Sequence, residues 1–263
     1  MFNIMQKALI KKEVRTVVRS RGFFIEYMLV PLIMALILPV GVVIGVAAFN
    51  IDLSDFDELF AMMAIVLPNE DVELAIISLL MNTMMPMFFL MIPPMIVTAM
   101  AAGSFTGEKE RRTLETLLYT PMSLKEIFSA KVAASLYVAM FVTVISFSMM
   151  LTAVMGLTWL LLGNMYVPDV LWAIIIGFIA PAFAFLAIII QVRISAKAKS
   201  SEEAYQRGGV IVLPLILLLV GQMSGFMFIG FFGFLIIGAL LVAISLLLMR
   251  GTFKKISYES LLK

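Results

Sequence analysis

Gly208-GVIVLPLILLLVGQMSGFMFIGFFGFLIIGALLVAISLLL-Met249 runs for 42 residues without a charged side chain. Whether it crosses a membrane once or twice decides the fold. A helix rises about 1.5 Å per residue and must cross about 30 Å of hydrocarbon, so about 20 apolar residues make one crossing. As helix this stretch would be about 63 Å long, which is two crossings joined by a tight turn. Six glycines between Gly208 and Gly233, including Gly221, Gly225 and Gly230, permit such a hairpin near Phe226–Gly230.

Four more uncharged windows precede it: Tyr27–Ile51, Leu74–Gly107, Val132–Pro168 and Val170–Val192. Each fits one crossing. The chain is therefore expected to be an all-α integral membrane protein of one domain, residues 1–263. Its six spans are placed at about 23–49, 75–102, 132–157, 171–190, 209–228 and 230–249. The charges test that count. All nineteen Lys and Arg fall before span 1, between spans 2 and 3, between spans 4 and 5, or after span 6. The opposite loops hold Asp52, Asp55, Asp57, Glu58, Glu70, Asp71, Glu73 and Asp169 and no base. By the positive-inside bias, both termini are expected in the cytoplasm of a cell-membrane protein.

Composition excludes several functions. A chain with 63% hydrophobic and 14% charged residues is unlike a soluble domain, whose charged share is about 25%. A net charge of +2 gives a nucleic-acid partner no electrostatic support. Absence of Cys and His removes disulfides, thiolate or imidazole metal sites and His-based triads. No catalytic residue, metal site or bound cofactor is expected in this chain.

Residues 2–21 alternate Phe2, Met5, Leu9, Val14 and Val17 with Lys7, Lys11, Lys12, Arg15 and Arg19. The pattern predicts an amphipathic elbow helix in the interface, its bases near anionic lipid head groups. The outer loop, about 50–73, repeats Phe56, Leu59, Phe60 and Met63 beside its acids, which predicts a short interfacial helix. Pro31, Pro39, Pro93, Pro94 and Pro181 interrupt spans 1, 2 and 4. They are candidate hinges, although membrane helices also tolerate proline as plain structure.

The densest polar stretch is Gly107-EKERRTLETLLYT-Pro121, with six charged residues around Leu114, Leu117 and Leu118 at i, i+3 and i+4. It predicts a short amphipathic helix over 107–121, ended by Thr120–Pro121 because the residue before proline disfavours the α region. Ser123 and Glu126 then form the pattern of a capping box that opens span 3. A rigid helix between two spans is a lever: whatever grips it moves both.

Residues 108–121 resemble the signature of the ABC-2 type permeases, roughly E-x-E-x-G-T-L-E-x-L-L-x-T-P, with Arg112 where glycine is usual. The opening run Lys11–Gly22, the six spans and the length are similar too, so the resemblance covers the entire chain. It implies a permease dimer beside two separate ATPase subunits that carry the ATP and Mg. It also implies that Glu108, Glu110, Thr113, Leu114, Glu115, Leu117, Leu118, Thr120 and Pro121 form the helix coupling the two subunit types. The sequence itself has no G-x-x-x-x-G-K-[ST] phosphate loop, so ATP hydrolysis must belong to a partner. An ion-coupled secondary transporter is the rival reading. It would place acids or bases at membrane depth, and the spans offer only Glu26 near one end beside Asn82, Gln191 and Gln222. A non-transporting membrane scaffold is the third. The Phe, Met and Leu of the spans suit a hydrophobic or amphipathic cargo, expected to be a membrane-active peptide, with a drug or a lipid as alternatives.

Overall fold

A computed structural model describes residues 2–19, 25, 29–48, 72–110, 120–224 and 231–255, and every regular element among them is helical. Helix α1 is Ile4–Arg19 and α2 is Val30–Ala48. Next come α3 (Val72–Thr83), α4 (Met85–Ala101) and the short α5 (Gly107–Glu110), nearly continuous. Helix α6 is Leu124–Leu162; α7 (Val170–Ile174) and α8 (Ala180–Lys197) make the next rod. Then follow α9 (Ser201–Gly208), α10 (Leu213–Met223) and α11 (Phe231–Lys255). Six helical rods are long and apolar enough to cross a membrane: Pro31–Ala48, Val72–Glu110, Leu124–Leu162, Val170–Lys197, Ser201–Gln222 and Phe232–Met249. The expected two crossings in the last uncharged window are both present. The outer-loop helix and the glycines Gly225 and Gly230 lie outside the described residues.

The rods of spans 2, 3 and 4 are longer than their uncharged windows. Helix α6 has 39 residues, about 58 Å at 1.5 Å per residue, well beyond one hydrocarbon thickness. It starts early because Ser123 is a true N-cap. Ser123 Oγ accepts from the Glu126 N–H at 3.3 Å, and Glu126 Oε2 accepts from the Ser123 N–H at 2.8 Å. Span 2 likewise extends to Glu110. Gly107 has helical torsions, φ −63 and ψ −34, and its N–H donates to the Ala102 carbonyl. Residues 107–110 therefore prolong span 2 instead of opening a separate helix at Gly107. A glycine alone does not end a helix when no proline follows it.

Proline acts on some rods and not on others. Pro39, Pro93 and Pro94 sit inside uninterrupted α-helix, and Pro31 lies in the first turn of α2. In a first turn the missing N–H has no partner to lose. Pro181 opens α8 directly after a π segment, Ile175–Ile179, and Pro214 opens α10 after a 3-10 turn, Gly209–Val212. Pro86 opens α4 after a turn at Met84. A widened or tightened turn spares the clash between the ring and the carbonyl four residues back. Among the described residues, breaks in regular α-helix fall at Pro86, Pro181 and Pro214, and one without a proline falls at the π segment Ala102–Thr106.

Helix α6 is the hub, packed by α1, α2, α4 and α8; α4 lies between α6 and α8, and α8 between α4 and α11. Gly238 permits that last contact, since a Cβ there would lie 2.5 Å from Phe178 Cε1 in the π segment. The outward faces of α10 and α11 stay apolar, with Leu217, Phe232 and Leu247 exposed, as a surface bathed by lipid tails requires.

Candidate functional site

The elements carrying the described Lys and Arg meet at one end of the bundle, and a buried ionic cluster lies there. Lys131, about two turns into α6 and one turn past Ile127, is 1% exposed. Its ammonium has three short partners: Glu108 Oε2 at 2.7 Å, the Ser104 carbonyl at 2.8 Å and Ser104 Oγ at 2.9 Å. Glu13 Oε1 of α1 is a fourth, at 3.4 Å. Ser104 Oγ in turn donates to Glu13 Oε2 at 3.0 Å. Lys12, more exposed, reaches Glu108 Oε1 at 3.4 Å and Glu13 Oε1 at 3.8 Å. The Phe105 ring lies 5.5 Å from the ammonium, within cation–π range. Two ammoniums and two carboxylates leave these four side chains neutral in sum. An isolated ion would be untenable at this burial, whereas a matched and hydrogen-bonded set is not.

Local sequence explains the convergence. Ser104 and Glu108 are four apart on one helical face, joined through the π segment Ala102–Thr106. Such one-turn π insertions recur at functional sites. On α1 the buried positions are Gln6, Leu9, Glu13 and Val17, spaced i, i+3, i+7 and i+11. That face packs on α6: Leu9 joins Ile127 and Ala130, and Gln6 Nε2 donates to Ser129 Oγ at 2.9 Å. The sequence pattern gave Phe2 and Met5 to the apolar face, yet both are exposed. The polar pair Gln6 and Glu13 replaces them because α6 offers Ser129 and Lys131 as partners.

Glu110 makes a second tie. Its Oε2 accepts from the Ser201 N–H at 3.1 Å and from Ser201 Oγ at 3.0 Å. A carboxylate is thereby placed at the N-terminus of α9, where the helix dipole favours it. Further along α9, Gln191 of α8 donates to the Ala204 carbonyl at 2.8 Å. Gly208 abuts the Gln191 side-chain amide, which would have to move to admit a Cβ there.

The opposite end is built from neutral groups. Asn82 Oδ1 accepts from Tyr166 Oη at 2.8 Å and from Trp172 Nε1 at 3.2 Å. Tyr166 and Trp172 are both buried. The indole meets Phe89 edge-on and Phe147 at a tilt, each with centroids 5.2 Å apart. The Tyr166 N–H donates to Thr158 Oγ1 at 3.0 Å. Burial pushes the Tyr166 phenol up to about 12, and the nearby Asp169 charge adds to the rise. Three rods are joined here without an ion.

Of the residues the coupling signature singled out, Glu108 and Glu110 bind neighbouring elements as described. Thr120 and Pro121 occupy the bend before Ser123. Thr113, Leu114, Glu115, Leu117 and Leu118 lie outside the described residues. Lys131, Glu13 and Ser104 went unnoticed as a group in the sequence, where Lys131 reads as one more base at a span end. Its position eight residues past the Ser123 cap is the available signal. It sets Lys131 two turns into a helix whose neighbouring positions are apolar. Among the described residues no group of three or more acids, His or Cys is placed to hold a metal. An apolar groove between α2 and α4, with Met34, Leu38, Met85, Phe88 and Met91 in its walls, is the remaining feature.

A family model described as "ABC-2 family transporter protein" matches residues 7–248. No curated protein matches the chain significantly.

Proposed function

This chain belongs to the ABC-2 transporter family, and from that premise we propose that it is the permease subunit of an ATP-driven exporter, working as a dimer beside two ATPase subunits. As a member of that family it is a multi-pass permease of an ABC transporter and pairs with an ATPase. Outward direction, dimer and cargo are the further steps. The observation that supports coupling to an ATPase is the place of the segment 107–121. It joins span 2 to span 3, and its root is tied through Glu108 to α1 and α6 and through Glu110 to α9. A subunit gripping Leu114, Leu117 and Leu118 from the cytoplasm would move four elements through those ties.

Among the described residues, the ionic cluster of Lys131, Glu13 and Glu108 is what an ion-coupled transporter could use. It is an unsuitable carrier: the ammonium already has a full set of partners, and the cluster lies at the end of the bundle, away from the midplane where such sites sit. The proposed cargo is an amphipathic, membrane-active peptide, ahead of a drug or a lipid. Methionine-rich, nearly nonpolar walls such as those of the α2–α4 groove suit a variable apolar surface.

Leu117→Asp provides the test. Truncating a buried apolar anchor costs about 2 kcal/mol or more, so this variant should insert in the membrane normally yet lose both copurification with the ATPase and stimulated ATP hydrolysis. Unchanged association would overturn the coupling assignment. Turnover raised by a hydrophilic ion, and by no amphipathic peptide, drug or lipid, would overturn the cargo assignment.

A further inference from the structure

The ionic cluster lies at the root of the segment 107–121, where α1, α6 and the end of span 2 meet. Lys131 belongs to α6, Glu13 to α1, Ser104 to the π segment, and Glu108 to the extension of span 2 that leads into the segment 107–121. The ammonium has three protons, and three partners within 3 Å belong to Ser104 and Glu108. Glu13 is held from two directions, by Lys131 and by Ser104 Oγ. We propose that Lys131 is a positioning residue for energy coupling: its buried ammonium locks α1 to the root of the segment 107–121, so that a displacement of that root carries α1, and with it the entry to span 1. The inference rests on the reading of that segment as the ATPase-coupling element.

Three observations make the lock specific. First, α1 has no covalent link to span 2 other than through span 1 and the outer loop, so any concerted motion must pass through side chains. Glu13, Lys12 and Ser104 supply those contacts. Second, the donor lies on α6 and the acceptors on two other elements. A rotation of the Gly107–Glu110 extension that swings Glu108 away would therefore strand a buried charge, and the elements move together instead. Third, the Ser104 carbonyl and hydroxyl that grip Lys131 lie inside the π segment. A π turn converts to α by losing one residue of register. The ammonium thus holds the span in its widened form just before the coupling segment begins.

The double variant Glu13→Gln with Lys131→Met separates this role from folding. It removes one charge of each sign, so no ion is orphaned, and the Lys12–Glu108 contact that remains is 3.4 Å long with its lysine 56% exposed, a screened pair too weak to carry α1. The chain lacks cysteine, so pairs of cysteines can be introduced and spin-labelled without background. One pair, Arg15→Cys with Lys197→Cys, follows α1 against the end of α8. The other, Lys109→Cys with Lys197→Cys, follows the root of the coupling segment. Both are measured in the full permease copurified with its ATPase, with and without a non-hydrolysable ATP analogue.

In the parent protein both distances should shift with nucleotide. In the double variant the Lys109 pair should still shift while the shift of the Arg15 pair is lost, with the ATPase still bound. A purely structural role would alter stability and leave both shifts in place, and that result overturns the inference. Absence of any shift at Lys109 in the parent protein overturns the coupling reading as well, and with it this inference. Loss of the ATPase from the double variant also counts against it, because it would assign Lys131 to docking.

Discussion

The two ends of the bundle solve the same problem with opposite chemistry. At the basic end, α1, α6 and the tail of span 2 are joined by Glu13, Lys131, Ser104 and Glu108, two of whose contacts are ion pairs. At the other end, span 2, α6 and α7 are joined by Asn82, Tyr166, Trp172 and a pair of phenylalanines, all neutral. Removing one partner of a buried ion pair leaves an uncompensated charge, costing about 3–5 kcal/mol. Removing one partner of a neutral hydrogen bond costs about 1–3 kcal/mol. The charged joint is the stronger constraint and the more brittle one. The charged joint ties α1 to the root of the segment 107–121, and the neutral joint ties span 2 to α6 and α7.

The largest effect should come from Lys131→Met alone. With side chains 11% and 13% exposed, Glu13 and Glu108 would lose their buried counter-ion, and stability should fall by about 3 kcal/mol. Thermal unfolding of the detergent-solubilised chain measures this. Adding Glu13→Gln should recover most of the loss, because the orphaned charge goes with it. If the double variant is no better than the single one, packing of the lysine stem carries the joint, and the contrast with the neutral end fails.

Asn82→Leu should cost less, about 2 kcal/mol, by leaving the Tyr166 hydroxyl and the Trp172 N–H without their shared acceptor. Nucleotide-driven movement at Lys109 should survive. A loss larger than that of Lys131→Met would reverse the ranking of the two ends.

The smallest effect concerns Tyr166. Its phenol is raised from 10.0 to about 12 by burial, so the folded state holds the proton more tightly than the unfolded one. The corresponding stability is complete below pH 10 and is lost as pH rises toward 12. An alkaline absorbance titration should show a tyrosine ionising late, and Tyr166→Phe should remove that component. Ionisation of Tyr166 together with the exposed tyrosines would mean that the neutral joint is wet, and the contrast between the two ends would fall.

Much of the architecture was legible before any coordinates. Uncharged windows and one-sided bases gave six crossings, because a bilayer leaves a charge no cheap place along a span. The capping box at Ser123 and Glu126 was readable because it is a local contract between residues three apart. Span ends were less legible. Hydropathy marks where hydrocarbon must be met, and says little about how far a helix runs past it, so α6 and span 2 came out longer than their windows. Proline breaks were only partly legible. The clash that proline causes can be absorbed in a regular turn, as at Pro39 and Pro93, or released into a π or 3-10 turn, as at Pro181 and Pro214. Packing decides which.

By itself the sequence determined the membrane class, the number of spans, the absence of a phosphate-binding loop and the place of the segment 107–121. Each follows from composition or from residues close together in the chain. Only the tertiary structure decided that Glu13, Ser104, Glu108 and Lys131 are one site. Glu13 and Lys131 lie 118 positions apart, and the distance from the Ser123 cap that sets Lys131 inside the helix does not name its partners. It also decided which face of α1 is buried, since Gln6 and Glu13 are inward only where α6 supplies Ser129 and Lys131 to receive them. A charge can be buried when its partners arrive from other helices, and that arrival is a property of packing, not of any one stretch of chain.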